Sequence, residues 1–251
     1  MKILKVKKVY VFFSAIVAFM LHLPFAFSST KSFSYKKITT VADTSAAIKN
    51  DNIFSCTKMY DSLKLNICGL SEQAFGYALK GYEYLKLKGK IGNENIISIV
   101  DFSRPSSEKR LFVIDIKNFK ILFNTYVAHG QGSGAAMATT FSNVPESYQS
   151  SLGFYTTSDT YIGKNGFSMH LDGMEKGIND NANERAIVMH GAPYVSEDFI
   201  HNQGFIGRSW GCPAVPEKLN RPIINKIKNG TCLFIFSANN KYLHSSKILN
   251  S

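Results

Sequence analysis

Metal-binding spacing is missing from this 251-residue sequence: neither HExxH nor CxxC occurs. His129, His201 and Asp172 can be grouped with His190 only on paper, so a zinc hydrolase or metal-dependent amidase is the weakest functional reading. No metal and no other cofactor is expected. Gly130-Gln131-Gly132-Ser133-Gly134 is rich in glycine, but no helix signal with a Lys-Ser/Thr pair follows it. That excludes a P-loop and leaves a surface loop near a site. No segment repeats, and the helix–strand alternation of dinucleotide-binding folds is absent. The lysines are scattered, without aromatic interleaving, so nucleic acid is not an expected partner. With 19% charged and 45% hydrophobic residues, wholesale disorder is excluded as well.

Acidic residues are absent before Asp43, and four of the chain's net +11 charges (Lys2, Lys5, Lys7, Lys8) lie in the first ten residues. Val9 to Leu21 forms an apolar core, Pro24 breaks it, and Ala26-Phe27-Ser28 supplies small residues at the −3 and −1 positions. This predicts a signal peptide over 1–28, cleaved after Ser28, and a periplasmic or secreted protein. No other segment is long enough to span a bilayer, so no stable membrane insertion is expected after cleavage. The remaining basic surface suits anionic envelope polymers.

Only four cysteines are present. Outside the cytoplasm, Cys56 and Cys68 can pair as a disulfide or stay as two idle thiols on a helical hairpin. Cys232 opens an apolar strand and reads as a buried small hydrophobe. Cys212 is left unpaired.

Residues 29–52 read as a flexible linker rich in Ser, Thr and Lys. Residues 53–90 carry helical periodicity, with Ser71 as N-cap, Leu70 and Phe75 as a hydrophobic staple, and Gly89 as the stop. From 91 to 240 the pattern turns to strands at Ile96–Phe102, Leu111–Ile116, Ile121–Ala128, Gly153–Thr157, Phe167–Leu171, Ala186–His190 and Cys232–Phe236. Helices are expected near Val195–His201 and from Pro216 to Lys228. Residues 241–251 read as a polar C-terminal tail. The fold class is therefore mainly β, with peripheral helices and an N-terminal helical segment over 53–90 packing on the 91–240 domain.

Ala186–Met189 is a buried-strand signature ending on His190-Gly191. Further on, Gly207-Arg208-Ser209-Trp210-Gly211 delivers Cys212. A thiol is nucleophilic as its thiolate, and an imidazole at a strand end is a rigid base for it. Glycine beside the cysteine lets backbone N–H groups reach a developing oxyanion.

At His190-Gly191 and Ser209-Trp210-Gly211-Cys212 the sequence resembles the L,D-transpeptidase (YkuD-type) catalytic-domain family, with a closer likeness to a divergent murein L,D-transpeptidase-like branch. Val100-Asp101-Phe102-Ser103, Phe141-Ser142-Asn143, Ser151 to Tyr155, Asn179 to Ala182 and Gly207 to Pro216 carry that closer likeness, and the resemblance covers roughly Leu63 to Phe236. The resemblance implies a β-sandwich or barrel-like domain with Cys212 as nucleophile and His190 as base. Gly191 or a neighbour would orient the imidazole, Gly211 and Cys212 would offer oxyanion N–H groups, and Ser209 would brace the turn. It implies acyl transfer on the meso-diaminopimelate/D-Ala bond of peptidoglycan tetrapeptide stems through a thioester. Water as acceptor would give an L,D-carboxypeptidase or endopeptidase. Trp210 stands where the family has His, and Ala214 where it has Arg or Asn. Arg208 is the nearest guanidinium available to compensate. Arg208, Trp210 and His170 are the substrate-binding candidates. The same departures support a reading of a different class, a non-catalytic wall-binding or secreted interaction protein.

Overall fold

A computed structural model describes residues 56–251. The leader expected over 1–28 and the linker expected over 29–52 lie outside the described residues. Residues 56–62 are helical, and helix α1 follows at Glu72–Leu87. Ser71 starts α1 as its spacing predicts, its Oγ accepting from the Ala74 N–H at 3.1 Å. Leu70 and Phe75 are both buried, as are Ala74, Ala78, Tyr82 and Leu85 along one face. Gly81 lets that face sit on the sheet: a Cβ there would fall 1.9 Å from the Phe154 ring. Cys56 and Cys68 are unbridged and partly buried.

Among the described residues eight strands form one sheet. In chain order they are β1 (Ile96–Asp101), β2 (Leu111–Asp115), β3 (Lys120–Thr125), β4 (Gly153–Gly163), β5 (Gly166–Gly173), β6 (Val188–Ala192), β7 (Ala214–Pro216) and β8 (Cys232–Phe236). Their order across the sheet is β3-β2-β1-β8-β4-β5-β6-β7. Neighbours are antiparallel except β1–β8 and β6–β7, which are parallel. The third strand ends at Thr125 rather than Ala128 because the chain crosses over there. Ala128 bridges Ala214 of β7, its N–H donating to the Ala214 carbonyl at 2.8 Å. One edge of the sheet thus curls toward the other, and the mainly β class read from the pattern takes the form of a nearly closed barrel.

Strands β1 and β8 are buried along their whole length, which explains their unbroken Ile/Val/Phe runs. Helix α1 covers them on one side, and inside the sheet Phe154 stacks on Phe234 at 4.1 Å. Helices α2 (Glu197–Gln203), α3 (Glu217–Ile227) and α4 (Asn240–Ser245) follow among the described residues. Among the described residues no helix is long and apolar enough to cross a membrane.

The chain end departs from its expected tail. Asn239 caps α4, and Tyr242, Ile248 and Leu249 are buried. Tyr242 donates its hydroxyl to Glu175 Oε1 at 2.9 Å, and Ser246 donates to Oε2. Lys80 Nζ holds the Leu249 carbonyl at 2.6 Å. Four apolar side chains (Tyr242, Leu243, Ile248 and Leu249) among polar ones carry no legible period. Burying Ile248 and Leu249 is worth about 1.5–3 kcal/mol each, so deleting residues 246–251 should cost about 3–6 kcal/mol in urea unfolding. Burial raises the Glu175 pKa against the pull of its hydrogen-bond donors. The folded chain then binds more protons than the unfolded one between the ordinary glutamate value and the raised one. Across that window the Glu175 contribution to stability falls as pH rises.

Candidate active site

Strands β6 and β7 build the site. His190 pairs with Ala214 in the parallel register, so Cys212, two residues earlier, lies one strand over and level with Val188. The Val188 N–H points at Cys212 Sγ (3.5 Å), and the thiol faces the Ala186 carbonyl at 3.7 Å. Ala186 reaches that position at φ +50°, a region costly for a residue with a Cβ. Ser168 pairs with His190 and His170 with Val188, so all four share a sheet face. Met169 and Met189, on the other face, are fully buried.

The His190 ring is oriented from behind. Its Nδ1 lies 2.9 Å from the Gly191 carbonyl, which assigns the proton to Nδ1 and leaves Nε2 as the acceptor. Gly191 is also needed for packing, since a Cβ there would press on Asn220 at 2.9 Å. His190 is only 5% exposed, and burial lowers its pKa, with the Gly191 carbonyl a smaller opposing influence.

The turn before Cys212 is held by Ser209. The Ser209 N–H donates to the His129 carbonyl (2.9 Å), its carbonyl accepts from Gln131 (2.7 Å), and its Oγ donates to the Cys212 carbonyl at 2.6 Å. The same Oγ accepts from the Gly211 N–H at 3.1 Å. That bond alters the expected oxyanion hole: the Gly211 donor is engaged, while the Cys212 N–H has no acceptor among the described residues. Gly211 sits at φ +126°, and its carbonyl accepts from Ser150 Oγ at 3.0 Å. Ser150 Oγ in turn accepts from Gly130 (3.0 Å), so the glycine-rich loop packs directly against the cysteine turn.

The substrate-binding candidates fall in different places. Trp210 is exposed above the turn. Arg208 is exposed too, its Nη1 spent on the Gly134 carbonyl at 3.2 Å and its guanidinium 5.7 Å from the Phe205 ring centre. His170 stacks on Tyr161 (4.6 Å) and lies 3.1 Å from Asp159, on the outer side of the shared face. The grouping of His129, His201 and Asp172 does not form. His129 is buried against Arg110, His201 is exposed on α2, and Asp172 accepts from Asn183. Among the described residues no three such side chains are placed to hold a metal ion.

Two arginines escaped sequence reasoning. Arg185 reaches the Ser142 and Gln149 carbonyls (2.9 and 2.5 Å) and Ser151 Oγ (2.5 Å). Its charge, not that of Arg208, acts on Cys212. Arg110 is fully buried, with Nη2 2.7 Å from His129 Nδ1. Burial and that guanidinium push His129 down to about 4. No motif marks either arginine; only the fold brings Arg185 under the cysteine turn.

Burial raises the Cys212 pKa, and the Val188 N–H and Arg185 offset it in part. With the thiol raised and the imidazole lowered, the two rest as a neutral pair. Among the described residues Sγ and the imidazole share no hydrogen bond, and such contacts commonly tighten only when substrate enters. Iodoacetamide labelling of Cys212, followed peptide by peptide, should therefore accelerate only above the ordinary thiol range. A rate already at plateau near pH 6 would mean a resting thiolate–imidazolium pair instead.

The L,D-transpeptidase catalytic domain matches this chain over residues 67–236, more than half of its length. No curated protein matches it. Solved structures similar to it include an L,D-transpeptidase from Mycobacterium smegmatis (10% identity, TM-score 0.36, 57% of this chain and 58% of that one). Another is L,D-transpeptidase 3 from Mycobacterium tuberculosis (11%, 0.35, 57% and 61%). A third is an L,D-transpeptidase from Xylanimonas cellulosilytica (11%, 0.33, 57% and 60%). The chain spans less than two thirds of each. The catalytic-domain match encloses β6, the cysteine turn and β7, and by that match the chain belongs to the L,D-transpeptidase catalytic-domain family.

Proposed function

We propose that this chain is an exported peptidoglycan acyltransferase working through a thioester on Cys212. The observation that carries the reading is the placement of Cys212 one strand over from His190, whose ring is fixed with Nε2 as its acceptor. Cys212 Sγ attacks the carbonyl carbon linking meso-diaminopimelate to the terminal D-Ala of a tetrapeptide stem. The thiol proton passes to His190 Nε2, and the developing oxyanion is met by the Cys212 N–H. When the tetrahedral intermediate collapses, the C–N bond breaks, the imidazolium gives its proton to the departing amine, and D-Ala leaves. A thioester remains. A second stem then brings its amine to the thioester carbonyl, His190 takes the amine proton, and the thiol is regenerated with a new cross-link. Water in the amine's place yields a tripeptide carboxylate. The sequence as drawn needs no cofactor.

Export rests on Lys2 to Lys8, the apolar run to Leu21 and the Ala26-Phe27-Ser28 site. The test is incubation of the purified protein with tetrapeptide muropeptides, with D-Ala release followed in time and products weighed by mass spectrometry. A dimer mass shows transpeptidation and a tripeptide mass shows hydrolysis. No D-Ala release and no acyl adduct with a carbapenem would leave a non-catalytic wall-binding protein.

A further inference from the structure

Trp210 is 69% exposed, yet its backbone has no freedom to bring the indole inward. Ser209 before it is buried and held by the four hydrogen bonds described above. Gly211 after it takes φ +126°, with the Gln149 carbonyl 2.8 Å from where a Cβ would stand. Tyr148 meets the indole edge to face, ring centres 5.7 Å apart at 63°, and is itself exposed.

The loop carrying Tyr148 holds an unfavourable shape. Tyr148 lies at φ +54° and Glu146 at φ +58°, two non-glycine residues in the left-handed region within three positions. Arg185 pins the loop through the Gln149 and Ser142 carbonyls. Gly130 packs so closely that a Cβ there would fall 2.3 Å from the Tyr148 carbonyl oxygen. An isolated exposed aromatic is ordinary. Two aromatics set edge to face by a rigid turn and a strained loop, beside the nucleophile, are a built surface. The same cysteine turn, the Tyr148 loop and the glycine-rich loop packed against them also carry the exposed Arg208, Glu146 and Gln131.

We infer that Trp210 and Tyr148 form a stacking platform for a pyranose ring, the amino sugar that carries the stem peptide. The inference rests on the proposed peptidoglycan activity and adds its recognition of the glycan. A chair-form sugar with equatorial substituents presents a flat face of axial C–H bonds and an edge of hydroxyls. The C–H face suits an indole, and the hydroxyls suit a polar rim. A tetrapeptide stem offers carboxylates, amides, an ammonium and methyl groups, none of them a flat apolar face of indole size. Trp210 lies two residues from Cys212, so a sugar on the platform and a stem carbonyl at the thiol belong to one continuous surface. The enzyme then prefers sugar-bearing stems to free tetrapeptide.

Trp210 is the one tryptophan of the chain, so its fluorescence reports on the platform directly. The Cys212→Ala full chain is titrated with disaccharide-tetrapeptide, with free tetrapeptide, and with a linear N-acetylglucosamine tetramer. Both sugar-bearing ligands should change the emission saturably, the free tetrapeptide should not, and Tyr148→Ala should weaken the response about tenfold. In turnover, Trp210→Ala should cut the preference for disaccharide-tetrapeptide over free tetrapeptide about tenfold, with Trp210→Phe restoring much of it. An equal emission change with free tetrapeptide, or no change with either saccharide, overturns the platform. The two readings fail separately. Saccharide binding without D-Ala release sinks the acyl transfer alone. D-Ala release with the same preference in Trp210→Ala sinks the platform alone.

Discussion

Cys212→Ala is expected to release D-Ala from tetrapeptide stems about four orders of magnitude more slowly than the native chain, or not at all. On the proposed mechanism the sulfur is the atom that becomes acylated, and among the described residues no neighbouring group is placed to replace it. The Val188 N–H and the Ala186 carbonyl that surround it are backbone, Ser209 Oγ is committed to the Cys212 carbonyl, and Tyr194 is pushed up to about 12 by burial and by Cys212 itself. Cys212→Ser should fare little better, because His190 is made a weaker base by burial and an alkanol is far harder to deprotonate than a thiol. In both variants a carbapenem should leave no mass adduct, while the urea midpoint stays near that of the native chain. D-Ala release that persisted in Cys212→Ala would end the thioester mechanism.

Replacing His190 by Ala should slow acylation about a thousandfold, the middle of the range for a positioned general base. Free imidazole should return part of the rate in His190→Ala and none in Cys212→Ala. The pH profile of kcat/KM carries a second signature. Only neutral imidazole accepts the thiol proton, and burial lowers the His190 pKa, so the acid limb should fall below the ordinary imidazole range. The alkaline limb should lie above the ordinary thiol range, since burial raises Cys212. Stability follows the same sign. Below the ordinary imidazole value the unfolded chain gains protons that His190 and, more strongly, His129 at about 4 refuse in the folded state. Stability should therefore fall as pH falls through that window. An acid limb above pH 7 would remove His190 as the base.

Periodicity and chemical type made much of this chain legible, and the unread parts share a cause. Ser71 announces α1, and the apolar runs announce β1, β2 and β8, because capping and burial act on neighbours in sequence. Cys212 and His190 stood out as residue types with few uses other than chemistry when glycine flanks them. Arg185 and Arg110 did not stand out. An arginine reads as surface until a fold surrounds it with carbonyls, and the partners of Arg185 lie 34 to 43 positions away. The engaged Gly211 N–H was equally hidden, since it depends on the rotamer of Ser209. So was the docking of α4, whose anchor Glu175 is remote in sequence. Distance along the chain, more than subtlety of signal, separates the two groups.

The Ala128–Ala214 bridge bears on how a peptide can arrive. It occupies the outer rim of β7 beside Cys212, and the next outward position is Pro216, which has no N–H to offer. An incoming chain cannot zip onto the cysteine strand as a ninth strand. If the proposed function holds, a stem peptide would be gripped by side chains and loop tips from above, as suits short, branched or sugar-linked peptides better than long extended ones. The same blocked rim also denies a second copy of the protein a place to self-associate along β7.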